Sequence, residues 1–391
     1  MNIVQNPKIL TLNKIAKIGL NRFSDNYVIG EEIAEPDGIM VRSASLHEME
    51  LPASLLAVAR AGAGVNNIPI DKCSEQGIVV FNTPGANANA VKELVIAALF
   101  MSSRRIVPAI DWAKTLKGNG AEVGKMVEKG KSAFAGPEIK GKTLGVIGLG
   151  AIGRMVANAA YALDMDIIGY DPFLSAEKAA EVTPKTKYTA SLDDIFANSD
   201  YITIHVPFNA ETKGTVNAET IAKMKDGVRI LNFARGELVD SDAIVEAVNS
   251  GKVACYITDF PTDAQLCVDG IIAIPHLGAS TPESEDNCAV MAADELRNYI
   301  ELGSIVNSVN YPALELDSFT GNRACIMHRN VPNVFSQLSG VFSAAGLNIE
   351  HMLSKSKGDY AYTVMDFANG DVDGIKAQLE AVSDVIRVRI L

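Results

Sequence analysis

Along most of the chain, short runs of consecutive apolar residues alternate with stretches in which apolar positions return every three to four residues. The runs read as strands buried on both faces, and the periodic stretches as helices packed on a sheet. Runs at 38–41, 56–59 and 78–81 come first, each ending in polar or glycine residues, and 88–105 carries a helical period with charged ends. A second series lies at 144–147, 167–170, 201–206, 228–233, 253–258 and 271–274, with helical patterns at 152–163, 218–225 and 241–249 between its members. Ser191-Leu-Asp-Asp194 is expected to open a further helix as a capping box. Six strands with helical or loop connections predict an α/β protein built on a doubly wound parallel sheet, whose ligands sit outside the carboxyl ends of the strands. The helical pattern at 282–302 leads back toward the first domain, so this sheet is expected to be inserted within a smaller α/β domain.

Beyond a linker at 307–321 the pattern changes. Strands at 324–327, 347–353, 360–366 and 385–390 and helices at 332–345 and 372–381 give the order βαββαβ, a ferredoxin-like unit with Gly346 as the stop after its first helix. The expected division is therefore 1–93 with 283–310, then 94–282, then 321–391. Residues 106–140 hold the sole tryptophan, Trp112, in a loosely patterned excursion that reads as an arm embracing a second subunit or as a solvated surface loop.

Size and composition narrow the classes. A chain of 391 residues exceeds what one core usually organises. Its formal charge of −12 argues against a nucleic-acid surface, which needs clustered Lys and Arg. The five cysteines show no CxxC spacing, which suits free thiols in a reducing compartment and gives no reason to invoke zinc or disulfides. Without a signal-like amino terminus or a run of about eighteen apolar residues, the expectation is a cytoplasmic protein with no membrane association.

One stretch carries specific chemistry. The apolar run ending at Ile147 meets Gly148-Leu-Gly150-Ala151-Ile152-Gly153, a helix follows, and the next strand ends in Asp171. Gly148 allows the tight turn, Gly150 lets backbone amides approach a pyrophosphate, and Gly153 lets the helix pack closely, while the helix N-terminus adds partial positive charge. Asp171 can accept hydrogen bonds from ribose hydroxyls and would repel a 2′-phosphate. The reading is a Rossmann sheet binding NAD rather than NADP; a purely structural turn is the competing one.

Other reactive residues fall at the strand ends: His205-Val206-Pro207, Phe233-Ala234-Arg235, Asp259 and Pro275-His276. Hydride transfer to a nicotinamide asks the protein for orientation, an acid–base group and a cation for a substrate carboxylate. Arg235 offers a bidentate grip, His276 a proton carrier, and a nearby acid would fix the imidazole tautomer. His205 reads as structural, and His47 and His351 show no partner pattern.

VRSAS at Val41, ARAGAGVNNI at Ala59, GKTLGVIGLGAIGR at Gly141, NFARGELVD at Asn232 and PHLGAST at Pro275 together resemble the D-2-hydroxyacid dehydrogenase family, over almost the full length. The resemblance implies a flavodoxin-like substrate domain, an NAD-binding Rossmann domain and a C-terminal ACT-like regulatory domain. It further implies oxidation of 3-phospho-D-glycerate to 3-phosphohydroxypyruvate, the entry to serine biosynthesis, by a homodimer or homotetramer. Arg235 would hold the carboxylate and His276 serve as acid–base, with Arg42, Ser43, Arg60 and Asn66 near the substrate. Gly148, Gly150, Ala151, Ile152, Gly153, Asp171, Val206, Pro207, Phe233, Ala234, Asp259 and Gly278 would line the cofactor. The family's DVFxxEP, whose glutamate pairs the histidine, is replaced by Asp259-Phe-Pro-Thr-Asp263-Ala264, one residue shorter. This puts Asp263 at the partner position, with a water-bridged or absent partner as the alternative. In the ACT-like unit His328, Asn330 and Asn348 match serine-binding positions, although Asn333 replaces the usual glycine; a dimerisation module without ligand is the other reading. A glycerate or hydroxypyruvate enzyme and a non-catalytic NAD-sensing corepressor-like protein are the rival functions.

Overall fold

In the computed structural model, which describes residues 6–368 and 371–391, the apolar runs become strands because their side chains are covered on both sides of parallel sheets. Two units result, Met1–Asn87 with Pro282–Leu391 and Ala88–Thr281. The helical stretch read at 88–105 forms one helix, Ala88–Arg104, which opens the second unit.

The first unit opens with β1 (Lys8–Leu12), the helical turn α1 (Lys17–Leu20), β2 (Val28–Gly30), β3 (Gly38–Val41), β4 (Ala57–Arg60), α2 (Ile70–Glu75) and β5 (Val79–Phe81). These five strands pair in parallel in the order β2-β1-β3-β4-β5. Strands β1 and β2 add to the three read from the pattern; β2 is a three-residue edge strand with Val28 half exposed, so no continuous apolar run marks it.

The second unit starts with α3 (Ala88–Arg104), α4 (Ile106–Lys114) and α5 (Val123–Gly130). The α/β succession then runs β6 (Thr143–Ile147), α6 (Ala151–Ala162), β7 (Asp166–Tyr170), α7 (Ala176–Ala180), β8 (Lys187–Thr189), α8 (Leu192–Asn198) and β9 (Tyr201–Ile204). It ends with α9 (Ala218–Lys223), β10 (Val228–Asn232), α10 (Ser241–Asn249), β11 (Val253–Thr258) and β12 (Ile271–Ala273). The sheet is fully parallel in the order β12-β11-β10-β9-β6-β7-β8. Its seventh strand, β8, is a polar Lys-Tyr-Thr edge that no hydrophobic run announces. The capping box expected at Ser191 does not form. Instead the Thr189 hydroxyl donates to Asp194 Oδ2 at 2.6 Å and accepts from the Ser191 N–H at 3.1 Å. Helices α4 and α5 bury none of their residues within the unit, and Trp112 packs on Phe134 with ring centroids 5.3 Å apart.

The first unit resumes with α11 (Pro282–Leu302), followed by β13 (Asn322–Arg329), α12 (Val334–Ala344), β14 (Ile349–Lys357), β15 (Tyr360–Phe367), α13 (Val372–Glu380) and β16 (Val385–Ile390). The four strands form an antiparallel ferredoxin-like sheet, β14-β15-β13-β16. Alternation divides its side chains: Ala324, Ile326, Met365 and Phe367 face α12 and α13, whereas Cys325, Met327, Tyr362 and Val364 join the core of Phe81, Tyr299 and Tyr311. The expected linker is sewn into this core. Asn310 Oδ1 accepts from the Val80 N–H at 2.9 Å, its Nδ2 donates to the Ile78 carbonyl at 2.9 Å, and the Tyr311 hydroxyl donates to the Ser74 carbonyl at 2.7 Å. The C-terminal sheet therefore packs as part of the first unit. Among the described residues no helix is long and apolar enough to cross a membrane.

Candidate active site

The turn from β6 into α6 is shaped by three glycines in different ways. Gly148 has φ +90° and donates its N–H to the Tyr170 carbonyl at 2.8 Å; a Cβ there would lie 2.7 Å from the His205 carbonyl oxygen. A Cβ on Gly153 would lie 1.9 Å from the Gly148 carbonyl oxygen, so helix and turn touch only because it is absent. Gly150 is the opposite case, with nothing within 4 Å of where its Cβ would be, and the first-turn amides of α6 that follow have no partners inside the helix. Asp171 fixes the far side. Its Oδ2 accepts from the Leu149 N–H and its Oδ1 from the Phe173 N–H, both at 2.9 Å, and each oxygen keeps a lone pair for a hydroxyl donor. An open backbone cradle beside a held carboxylate fits a dinucleotide. His205 takes no part: its ring Nε2 is 2.9 Å from Thr203 Oγ1, and burial pushes its pKa down to about 3, which keeps it neutral.

The reactive side chains of this unit gather on one aromatic ring. Phe260, just past β11, has its centroid 4.5 Å from that of the His276 ring and 5.8 Å from the Arg235 guanidinium carbon. Arg235 follows β10 in extended conformation, its carbonyl held by Asn232 Nδ2 at 2.8 Å, and its side chain is exposed. His276 follows β12 and is also exposed. Asp259 lies beneath them, 2 % exposed, with neither carboxylate oxygen in a well-formed hydrogen bond. Burial pushes its carboxyl above the usual range, and the charges of His276 and Arg235 with the Gly278 and Asp259 N–H groups act in the opposite sense.

Asp263 is exposed at the start of a short 3₁₀ turn, Asp263–Gln265. The cause is local: Thr262 and Gln265 close a capping box, and the Thr262 hydroxyl lies 2.6 Å from that of Ser241. That tie holds the shortened loop against α10, and the charge of His276 acts on the buried Asp259 carboxyl.

In the first unit the loops after β3 and β4 meet. Arg60 Nε donates to the Arg42 carbonyl at 2.9 Å, and the Arg42 guanidinium pairs with Glu285 at 2.7 Å. Asn13, at φ +70°, accepts from the Ser43 and Ala44 N–H groups through Oδ1 at 2.9 and 2.7 Å. The Asn66 carbonyl is 3.0 Å from His47 Nε2, so this histidine shapes the loop.

Comparison with known proteins fits this geometry. Residues 96–278 match the NAD binding domain of D-isomer specific 2-hydroxyacid dehydrogenases, and residues 325–387 match the ACT domain of the AHAS small subunit type. A putative D-3-phosphoglycerate dehydrogenase of Schizosaccharomyces pombe is 31% identical over 372 residues, covering 88% of this chain and 76% of that protein. The chain belongs to the D-2-hydroxyacid dehydrogenase family. Within it, the D-3-phosphoglycerate dehydrogenase of Archaeoglobus fulgidus is 37% identical over 298 residues, 74% of this chain but 54% of that protein. The chain thus spans about half the length of such relatives. Among solved structures, NAD⁺-bound 3-phosphoglycerate dehydrogenase of Entamoeba histolytica superposes with TM-score 0.59 at 26% identity, covering 79% of this chain and all of that one.

Two contacts escape a reading of sequence. Phe260 looks like any apolar residue after a strand, and Glu285 like an ordinary acid in a helix first turn. Only the fold shows the first between Arg235 and His276 and the second on Arg42. The ACT residues separate as well. His328 is buried with Nδ1 2.8 Å from the Arg329 carbonyl and Nε2 2.9 Å from Thr363 Oγ1, so it has no group to spare for a ligand. Asn330 and Asn348 are exposed, and Asn333 takes the left-handed conformation, φ +69°, that glycine supplies elsewhere.

Proposed function

We propose that the chain is an NAD-dependent dehydrogenase that oxidises 3-phospho-D-glycerate to 3-phosphohydroxypyruvate, the first step of serine biosynthesis. The observation that carries this is the meeting of Arg235 and His276 on Phe260, at the carboxyl ends of strands in the sheet that bears the dinucleotide turn. The Gly148-to-Gly153 turn, Asp171, Val206, Pro207, Phe233, Ala234 and Gly278 hold NAD, which when bound accepts the hydride leaving C2 of the substrate. Arg235 grips the carboxylate, and His276 takes the proton of the C2 hydroxyl as the carbonyl forms. The Asp259 carboxylate, out of water, stabilises the imidazolium so created. Arg42, Ser43, Arg60 and Asn66 supply a cation-rich loop pair suited to a phosphate, which favours a phosphorylated substrate.

The chain acts as a homodimer or homotetramer in the cytoplasm. The arm of α4 and α5 leaves Ile106, Ile110 and Val127 exposed, an apolar face suited to a second copy, and four of the five cysteines are buried free thiols. Serine is the proposed effector at the ACT-like unit, recognised by Asn330 and Asn348.

Turnover of 3-phospho-D-glycerate and of D-glycerate at equal NAD tests the reading. Faster turnover of the phosphorylated acid supports it, faster turnover of glycerate moves the chain to a neighbouring substrate, and no turnover of any 2-hydroxy acid refutes it.

A further inference from the structure

A cavity of about 600 Å³ runs along the outer side of α11 in the first unit. Asn287, Met291, Asp294, Glu295 and Asn298 line it from one stripe of the helix, and Val306, Asn307 and Glu315 close it from the following segment. Glu295 is the unusual member. It is 6 % exposed, its Oε1 accepts from Asn307 Nδ2 at 2.7 Å, and its Oε2 is buried with no partner at all. A buried acceptor left without a donor is destabilising, more so when charged.

We propose that this cavity is a binding site for a small aliphatic ammonium ion, anchored by a charge-assisted hydrogen bond to Glu295 Oε2. The lining contains three carboxyl groups and no Lys or Arg, so it offers acceptors to a cation and no cationic partner to an anion. Asp294 is already engaged by Arg22 at 2.8 Å and Arg297 at 3.3 Å, which leaves Glu295 as the carboxylate in need of a donor. Asn287, Asn298 and Ser304 offer side-chain acceptors for the remaining N–H groups, and Val290, Met291 and Val306 form an apolar wall for a short methylene chain. Burial pushes the carboxyl of Glu295 up to about 8, with Asn307 acting against and Asp294 adding to the shift. A bound ammonium would favour the ionised form, so binding near neutral pH expels a proton. This site is independent of the dehydrogenase reading.

The test is calorimetric titration of the full chain with n-butylamine, in buffers of different ionisation enthalpy, with n-butanol and butyrate as controls. The expected result is saturable binding of the amine alone, with proton release. Glu295→Gln, which keeps an acceptor for Asn307, is expected to weaken binding about 10–100-fold, the worth of a charge-assisted hydrogen bond, and to abolish the proton release. Met291→Trp, which fills the cavity while leaving Glu295 in place, is expected to lose binding as well, with NAD binding unchanged in both variants. No binding of the amine, equal binding of butanol, or binding unaffected by both substitutions would each overturn the proposal.

Discussion

The same carboxyl group makes a sharp statement about stability. Glu295 titrates near 4.5 in an unfolded chain and is pushed up to about 8 by burial in the folded one. Between those pH values the folded protein keeps a proton that the unfolded chain has given up, so the contribution of this group to stability is full below 4.5 and is lost as pH rises through about 8. Glu295→Gln removes the titration while preserving the contact with Asn307. One pKa unit is worth about 1.4 kcal/mol, which makes the variant about 3 kcal/mol more stable than the parent at neutral pH. The gap should vanish below pH 4.5 and level off near about 5 kcal/mol above pH 8. For a unit of this size that corresponds to roughly 6–12 °C in melting temperature at neutral pH. The groups that bear on Glu295 are Asp294, held by Arg22 and Arg297, and the exposed Glu315; none of these four residues changes in the variant. Melting curves of both proteins from mildly acidic to mildly alkaline pH give the result directly. A difference that stays constant across that range would show that Glu295 ionises normally and that the linkage is wrong.

Other outcomes follow from the site. Arg235→Ala should reduce kcat/KM for 3-phospho-D-glycerate by about 10²-fold or more while NAD affinity, read by fluorescence titration, stays within about twofold, because a charge-assisted bidentate contact is lost and the dinucleotide turn is untouched. Asp259→Asn should lower kcat by about 10²–10⁴-fold and displace the pH profile of kcat, whereas Asp263→Asn should change kcat less than about threefold. A larger loss with Asp263→Asn would return the role to Asp263. Gly153→Ala should abolish NAD retention on a dye or nucleotide column, since its Cβ has no room 1.9 Å from the Gly148 carbonyl oxygen.

Much of the architecture was legible because buried parallel strands leave continuous apolar runs and the dinucleotide turn leaves spaced glycines. What escaped was what such patterns do not mark. Strands β2 and β8 are short edge strands with polar or exposed residues, which pairing rather than burial makes regular. Ser191 had the spacing of a capping box, but Thr189 reached Asp194 first, and spacing says nothing about which of two neighbouring hydroxyls wins. The site divides along the same line. Arg235 and His276 stand at strand ends that the apolar runs locate, so their positions could be anticipated. The path of the shortened loop after β11 depends on the contact of Thr262 with Ser241, and no run or spacing encodes that tie. Glu285 on Arg42 and Phe260 between Arg235 and His276 are likewise products of tertiary approach.

The C-terminal ferredoxin-like sheet is tied to the rest of its unit, and α11 shows how. This helix ends in backbone carbonyls that a free terminus would leave to water. Here the ferredoxin-like sheet takes them: Arg389 donates to the Tyr299 and Ile300 carbonyls at 3.2 and 2.8 Å, Arg323 to that of Leu302 at 2.9 Å, and the Tyr362 hydroxyl to that of Gly303 at 2.7 Å. Two buried guanidinium groups at a helix C-terminus oppose the negative end of its dipole. Their desolvation is offset by a bidentate pair between Arg323 and Asp366 and by stacking of Arg389 on Tyr299. The opposite end of the same helix carries Glu285, which holds Arg42. A single rigid element therefore joins the sheet that matches an ACT domain to the loop proposed to receive the substrate phosphate.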